Sequence, residues 1–150
     1  MSKCLSEEDM NKVNNSISFP KCVVDRIVPN TLPSGANQDP LAVAVEEYFQ
    51  FVIDKKALKA SMPIIKGVEF HTDLTAILEQ KLFTLNMAHA IVGYYGYLKR
   101  CKFIHEAMDD RNVYNLLIGA LKEVELTITT RHSSIRSESQ ELYAQKVISR

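Results

Sequence analysis

Leu74-Thr75-Ala76-Ile77-Leu78-Glu79-Gln80-Lys81-Leu82-Phe83-Thr84-Leu85 decides the fold class. Leu74, Ile77, Leu78, Leu82 and Leu85 recur at steps of three and four, the spacing that lines up one face of an α-helix. The helical pattern opens at Thr72 and runs through Ile91 and Val92 to about Leu98. Gly93 and Gly96 sit near its end and allow another backbone to approach closely. Phe103 to Met108 reads as a short helix. Val113, Leu116, Leu117, Ala120, Leu121 and Val124 then repeat the helical period and predict a long helix reaching Thr130. Ser137-Glu138-Ser139-Gln140 has the form of a capping box and opens a last helix through Leu142, Val147 and Ile148.

Upstream of Thr72 the pattern changes. Ser6 precedes Glu7-Glu8-Asp9 as an N-cap before acidic first-turn residues, so a short helix is expected there, ending by Asn14-Asn15. Phe19 to Pro29 carries a β-branched run bounded by prolines and predicts a strand. Asn30 to Pro40, rich in Pro, Gly and Asn, is a predicted loop. In Leu41 to Ile53 the apolar residues Val43, Val45, Phe49, Phe51 and Ile53 fall on odd positions, the period of a strand, with Glu46-Glu47 interrupting. Antiparallel pairing with Val23–Val28 is expected. Lys55 to Ala60 reads as one helical turn closed by Met62-Pro63, and Lys66-Gly67 as a turn. The prediction is a mainly α fold with a small antiparallel strand pair, in a single domain over residues 1–150.

With 150 residues and 46% hydrophobic content, the chain has the size and core of one globular domain. Eighteen Lys plus Arg balance eighteen Asp plus Glu, which argues against a dedicated nucleic-acid binder. No apolar run is long enough to span a membrane. The N-terminus lacks the apolar region of a leader peptide. Cys4, Cys22 and Cys101 are odd in number and widely spaced, so a reducing cytoplasm is expected. Neither GxGxxG nor GxxxxGK[ST] occurs, so no cofactor-binding residues are assigned. His71, His89, His105 and His132 have no metal-ligand spacing, and His105-Glu106 lacks the second histidine of HExxH; no metal is expected.

Lys81, Asn86 and His89 form the one polar cluster with chemical promise. At about 100° per residue, Asn86 lies about 140° from Lys81 and His89 about 80° from it, so all three project toward one half of the helix. An amine, an amide and an imidazole together suit an alcohol or carbonyl oxygen. The same spacing also fits a solvated lysine beside an Asn–His packing pair. Lys99, Arg100 and Lys102 make a basic cluster that fits either a phosphate or a solvated helix C-terminus.

Lys81-x-x-x-x-Asn86-x-x-His89 resembles the signature of the polyol-specific long-chain mannitol dehydrogenases. Val24-Asp25-Arg26-Ile27-Val28-Pro29, Asp39-Pro40-Leu41 and Glu46 to Lys55 look like further segments of that family in the same order. The stretch EQKLFTLNMAHA, Glu79 to Ala90, is most similar to the mannitol-1-phosphate branch. The likeness covers about Phe19 to Glu125. Phe51 stands where the family has Trp, Met87-Ala88 replaces Thr-Gly, and Lys21 replaces the Asn that helps hold the reacting oxygen in the mannitol 2-dehydrogenase branch.

The resemblance implies an NAD-dependent oxidoreductase interconverting mannitol 1-phosphate and fructose 6-phosphate, with mannitol 2-dehydrogenase or tagaturonate and fructuronate reductase activity as the alternatives. It implies a 6-phosphogluconate-dehydrogenase-like helical C-terminal domain, here only its first part, with the Rossmann domain absent. The chain is then expected to be a fragment, inactive alone and prone to self-association. Lys81 is the implied base, Asn86 and His89 the implied oxygen-binding partners, and Lys21 and Arg100 candidates for the substrate. From a different class, a non-catalytic helical interaction module built around Gly93, Gly96 and the neighbouring tyrosines is the competing reading.

Overall fold

The computed structural model describes residues 4–29, 39, 41–59 and 61–150. The chain divides into two compact units, Met1–Leu74 and Thr75–Arg150, where the sequence predicts one domain. The predicted loop over 30–40 lies outside the described residues apart from Asp39, whose carboxylate accepts from Leu41 N–H at 2.8 Å.

The first unit opens with α1 (Glu7–Ser16), capped as predicted: the Ser6 hydroxyl accepts from the Asp9 amide. Its sheet has three strands, β1 (Cys22–Asp25), β2 (Gln50–Asp54) and β3 (Val68–His71), in the order β1-β2-β3. The expected antiparallel pair is there, with Val23 opposite Val52 and both buried. β3, unpredicted, runs parallel to β2 with Phe51 opposite Val68. The connection through Lys55 to Gly67 gives the length a parallel return needs. It includes a 3-10 turn, Lys55–Ala57, capped by Asp54. Gly67, at φ 82°, makes the turn into β3.

The strand predicted over Leu41–Ile53 is shorter and its phase is reversed. Only Gln50–Asp54 is strand, and the odd-numbered Val43, Val45 and Phe49 are exposed. Glu46 is the cause. Its amide donates to Ile27 O at 3.2 Å, its carboxylate accepts from Ile27 N–H at 2.5 Å, and its carbonyl takes both Nε and Nη2 of Arg26. That clamp turns the even-numbered side inward, and a shift of one residue exchanges the faces of the whole segment.

The second unit is helical: α2 (Leu74–Lys81), a π turn over Leu82–Asn86, α3 (Met87–Leu98), α4 (Ile104–Met108), α5 (Arg111–Arg131) and α6 (Ser137–Ile148). The predicted helix over 72–98 is therefore continuous but wound in two states. Its buried face is Ala76, Gln80, Thr84, Ala88, Val92 and Gly96, not the leucine stripe; Leu78 and Leu82 are more than 40% exposed. Four-residue steps advance an α-helix by about 40° each, so this stripe would drift around the cylinder. The π turn absorbs an extra residue and brings the stripe back to one side.

Leu85, Ala88 and Val92 pack with Ala107, Val113, Leu117, Leu121, Tyr143 and Val147 to form the main core, and Ala76, Ile128 and Ile135 form a smaller one. A Cβ placed on Gly96 would meet the Ala107 Cβ at 2.7 Å, so α3 and α4 approach through this glycine; Gly93 has only Ile104 near it, at 4.0 Å. Asp110 caps α5, accepting from the amides of Asn112 and Val113. The predicted capping box at Ser137 is not formed; Arg136 is the cap residue. The Ser137 hydroxyl donates instead to Glu125 Oε1 at 2.5 Å, and Gln140 is turned into the core.

Candidate active site

Lys81 ends α2, Asn86 ends the π turn, and His89 lies in the first turn of α3. Lys81 is half-buried, while Asn86 and His89 are exposed. The π turn is defined by the Met87 amide donating to the Leu82 carbonyl, five residues back. Five-residue hydrogen bonding stacks residues five apart more closely than an α-helix does, so Asn86 turns back toward the Lys81 face from the 140° that plain α geometry gives. Widened turns of this kind occur frequently at functional sites. His89 Nδ1 lies 3.0 Å from the Leu85 carbonyl. That oxygen only accepts, so the proton of this bond lies on Nδ1 and leaves Nε2 turned away from the Leu85 carbonyl.

Behind this face is a buried polar chain. Gln80 Nε2 donates to Gln140 Oε1 at 3.0 Å, and Gln140 Nε2 donates to Thr84 Oγ1 at 2.8 Å. Thr84 and Gln140 are fully buried. One residue before Gln80, Glu79 Oε2 accepts from His132 Nε2 at 2.7 Å and Arg131 Nε at 3.1 Å, joining α2 to the end of α5. His132 closes α5 at its C-terminus. None of Gln80, Thr84, Gln140 and Glu79 is a sequence-predicted site residue. The signal that points to them is a polar residue at i and i+4 inside an otherwise apolar helical run.

Arg100 is not brought into the Lys81 group: it lies eleven positions beyond His89, about 16 Å along a helix axis. It holds φ 61°, the left-handed residue of a helix-ending motif in which Arg100 N–H donates to Tyr97 O and Cys101 N–H to Gly96 O. Of the basic cluster, Lys99 is engaged, its Nζ 2.6 Å from Asp110 Oδ2. That contact, with the Val113 and Asn112 amides, holds the Asp110 carboxyl below its ordinary value. The side chains of Arg100 and Lys102 have no ion pair among the described residues. Lys21 belongs to the first unit, exposed at the start of β1, its carbonyl accepting from Asp54 N–H at 2.9 Å. Among the described residues no group of three or more His, Cys, Asp or Glu is placed to hold a metal, and no helix is long and apolar enough to cross a membrane.

Residues 73–150 match the family model of the mannitol dehydrogenase C-terminal domain. The chain belongs to the mannitol dehydrogenase family. Residues 1–67 match that family's Rossmann-domain model, so the two matches meet near the division between the compact units. Within the family, the chain is similar to mannitol-1-phosphate 5-dehydrogenase of Anoxybacillus flavithermus, 36% identical over 97% of this chain and 37% of that protein. It is similar to the enzyme of the same name from Thermoanaerobacter pseudethanolicus, 41% identical over 92% and 34%. The chain thus spans little more than a third of the length of these mannitol dehydrogenases. Among solved structures it resembles Pseudomonas fluorescens mannitol 2-dehydrogenase in ternary complex with NAD and D-mannitol, with TM-score 0.71 and 27% identity over 95% of this chain and 30% of that one. A D-sorbitol dehydrogenase in substrate-free form shares the fold, with TM-score 0.75 and 24% identity over 98% and 32%.

Proposed function

We propose that this chain supplies the proton-transfer helix of an NAD-dependent polyol dehydrogenase interconverting mannitol 1-phosphate and fructose 6-phosphate. One observation carries the reading: Lys81, Asn86 and His89 lie on one continuous helix whose π turn swings Asn86 back toward Lys81. The mannitol-1-phosphate 5-dehydrogenases among the relatives support the phosphorylated substrate, and the NAD and D-mannitol of the Pseudomonas fluorescens complex support the cofactor and the polyol class. The corresponding domain assignment is residues 73–150 as part of a helical substrate domain of the 6-phosphogluconate-dehydrogenase type.

Lys81 takes the hydroxyl proton as the alcohol is oxidised. Lys81 stands at the half-buried end of α2, within reach of a substrate that approaches the face it shares with Asn86 and His89. Asn86 donates to the oxygen as negative charge develops, a contribution of roughly 3–4 kcal/mol for one well-placed donor. His89, with Nε2 free of the Leu85 bond, holds the substrate oxygen or orients the amine. Arg100 and Lys21 are the proposed substrate contacts, Arg100 for the phosphate. A nicotinamide accepts the hydride in such enzymes. This chain has no Gly-rich turn to cradle a pyrophosphate, so the fit to the cofactor fails here and no step is assigned to it on these residues.

The test is Lys81→Ala in a full-length mannitol-1-phosphate 5-dehydrogenase carrying this helix. kcat is expected to fall about 10²–10⁴-fold with cofactor binding retained, and added primary amines to restore part of it. Cys101→Ala serves as the control and stays near normal. Normal turnover in Lys81→Ala across the pH range overturns the reading.

A further inference from the structure

We infer that Gln140 of α6 is a positioning residue for the reaction, setting the relative rotation of Lys81 and Asn86 through the buried chain Gln80–Gln140–Thr84. The inference rests on the proposed role of Lys81, Asn86 and His89. Gln140 is buried, whereas Asn86 and His89 are exposed. The Gln140 amide group bridges two consecutive turns, accepting from Gln80 Nε2 at 3.0 Å and donating to Thr84 Oγ1 at 2.8 Å. Gln80 immediately precedes Lys81, and Thr84 is the middle residue of the π turn. The bridge therefore fastens the helix on both sides of the point where its winding changes.

The geometry explains why such a fastening matters. A π turn holds one residue more than an α-helix over the same rise, and nothing in Leu82-Phe83-Thr84-Leu85-Asn86 itself demands it: the segment has neither proline nor glycine. Relaxation to α winding moves the surplus residue along the helix and rotates Asn86 and His89 by about 100° relative to Lys81. The relaxed form must also carry Thr84 away from Gln140 and leave buried donors and acceptors without partners, a cost that selects the π form. The bridge is satisfied: among the described residues no buried side-chain polar atom lacks a partner.

Two measurements test this, one independent of the catalytic reading. In the full 150-residue chain, amide hydrogen exchange at Met87 and its neighbours is expected to quicken at least about tenfold in Thr84→Val and in Gln140→Leu, while Leu117 and Leu121 in α5 keep their protection. Thr84→Ser, which keeps the hydroxyl, is expected to retain the slow exchange. Unchanged exchange in both removal variants overturns the inference whatever Lys81 does. In the full-length enzyme carrying this helix, the same two removals are expected to lower kcat about 10²-fold with little change in KM, and not to add when combined. Thr84→Ser is expected to keep most of the turnover. Equal turnover in Thr84→Val and the parent, or loss shared equally by Thr84→Val and Thr84→Ser, overturns the positioning role. Normal turnover in Lys81→Ala instead removes the reading beneath it, and the two failures are thereby told apart.

Discussion

Arg100 occupies a backbone conformation that costs a residue with a Cβ roughly 1–2 kcal/mol. Glycine is the usual occupant of this left-handed position. Arg100→Gly is therefore expected to stabilise the second unit by about 1 kcal/mol, read as a rise in its thermal midpoint. If Arg100 serves the phosphate, the same variant raises KM for the sugar phosphate and leaves KM for the unphosphorylated polyol unchanged. Equal KM changes for both substrates would return Arg100 to a plain helix terminus. Ten residues on, Asp110 does two tasks at once, capping α5 and holding Lys99. Its pKa is lowered in the folded chain, so its contribution is present above the unfolded carboxylate value of about 4 and is lost as pH falls through the folded value. Asp110→Ala is expected to be less stable than the parent at pH 7, and the two denaturation curves to converge below about pH 4. Curves that stay parallel through acid would show that the charge plays no part.

Contact between α3 and α4 runs through one glycine, and this makes a paired experiment available at the level of elements. Gly96→Ala forces its methyl against the Ala107 Cβ, 2.7 Å away, and is expected to cost about 1–3 kcal/mol. Gly119→Ala, in the middle of α5 with nothing within 4 Å, is expected to stabilise by about 0.5–1 kcal/mol through helix propensity alone. Chemical denaturation of both variants checks the pair. The same helices show what was legible beforehand. α5 and α6 fall within a residue or two of their predicted spans, because their apolar residues repeat with a period that local sequence encodes directly. The segment before β2 was misread in phase, because Glu46 finds its partners in Arg26 and Ile27, twenty positions away. β3 was missed because its four residues pair only through a strand distant in sequence. The candidate site was legible as a spacing in Lys81, Asn86 and His89. Gln140 was not: a residue that satisfies a capping pattern locally was taken into the core by Gln80 and Thr84, sixty and fifty-six positions away.

For the whole molecule, the exposed apolar side chains matter most. On α3 alone Tyr94, Tyr97 and Leu98 are each about three-quarters exposed or more. Surfaces of this kind are seldom left open on a soluble monomer. Light scattering on the 150-residue chain is expected to show an apparent mass that rises with concentration; a single monomer mass at every concentration would refute the expectation. Calorimetric titration of the same chain with NADH is expected to show no micromolar binding, since no Gly-rich turn is present. The widened turn at Leu82–Asn86 has a last consequence, which concerns length and not composition. It makes this rod a counted object: the five residues between Lys81 and Met87 fill the rise that four would fill in plain α winding. Most single replacements on the outer side of that interval leave the count intact. Deleting Phe83, an exposed side chain, would let the rod close into uniform winding with its two halves still in register, whereas unwinding of the π turn at full length would turn the far half by about 100°.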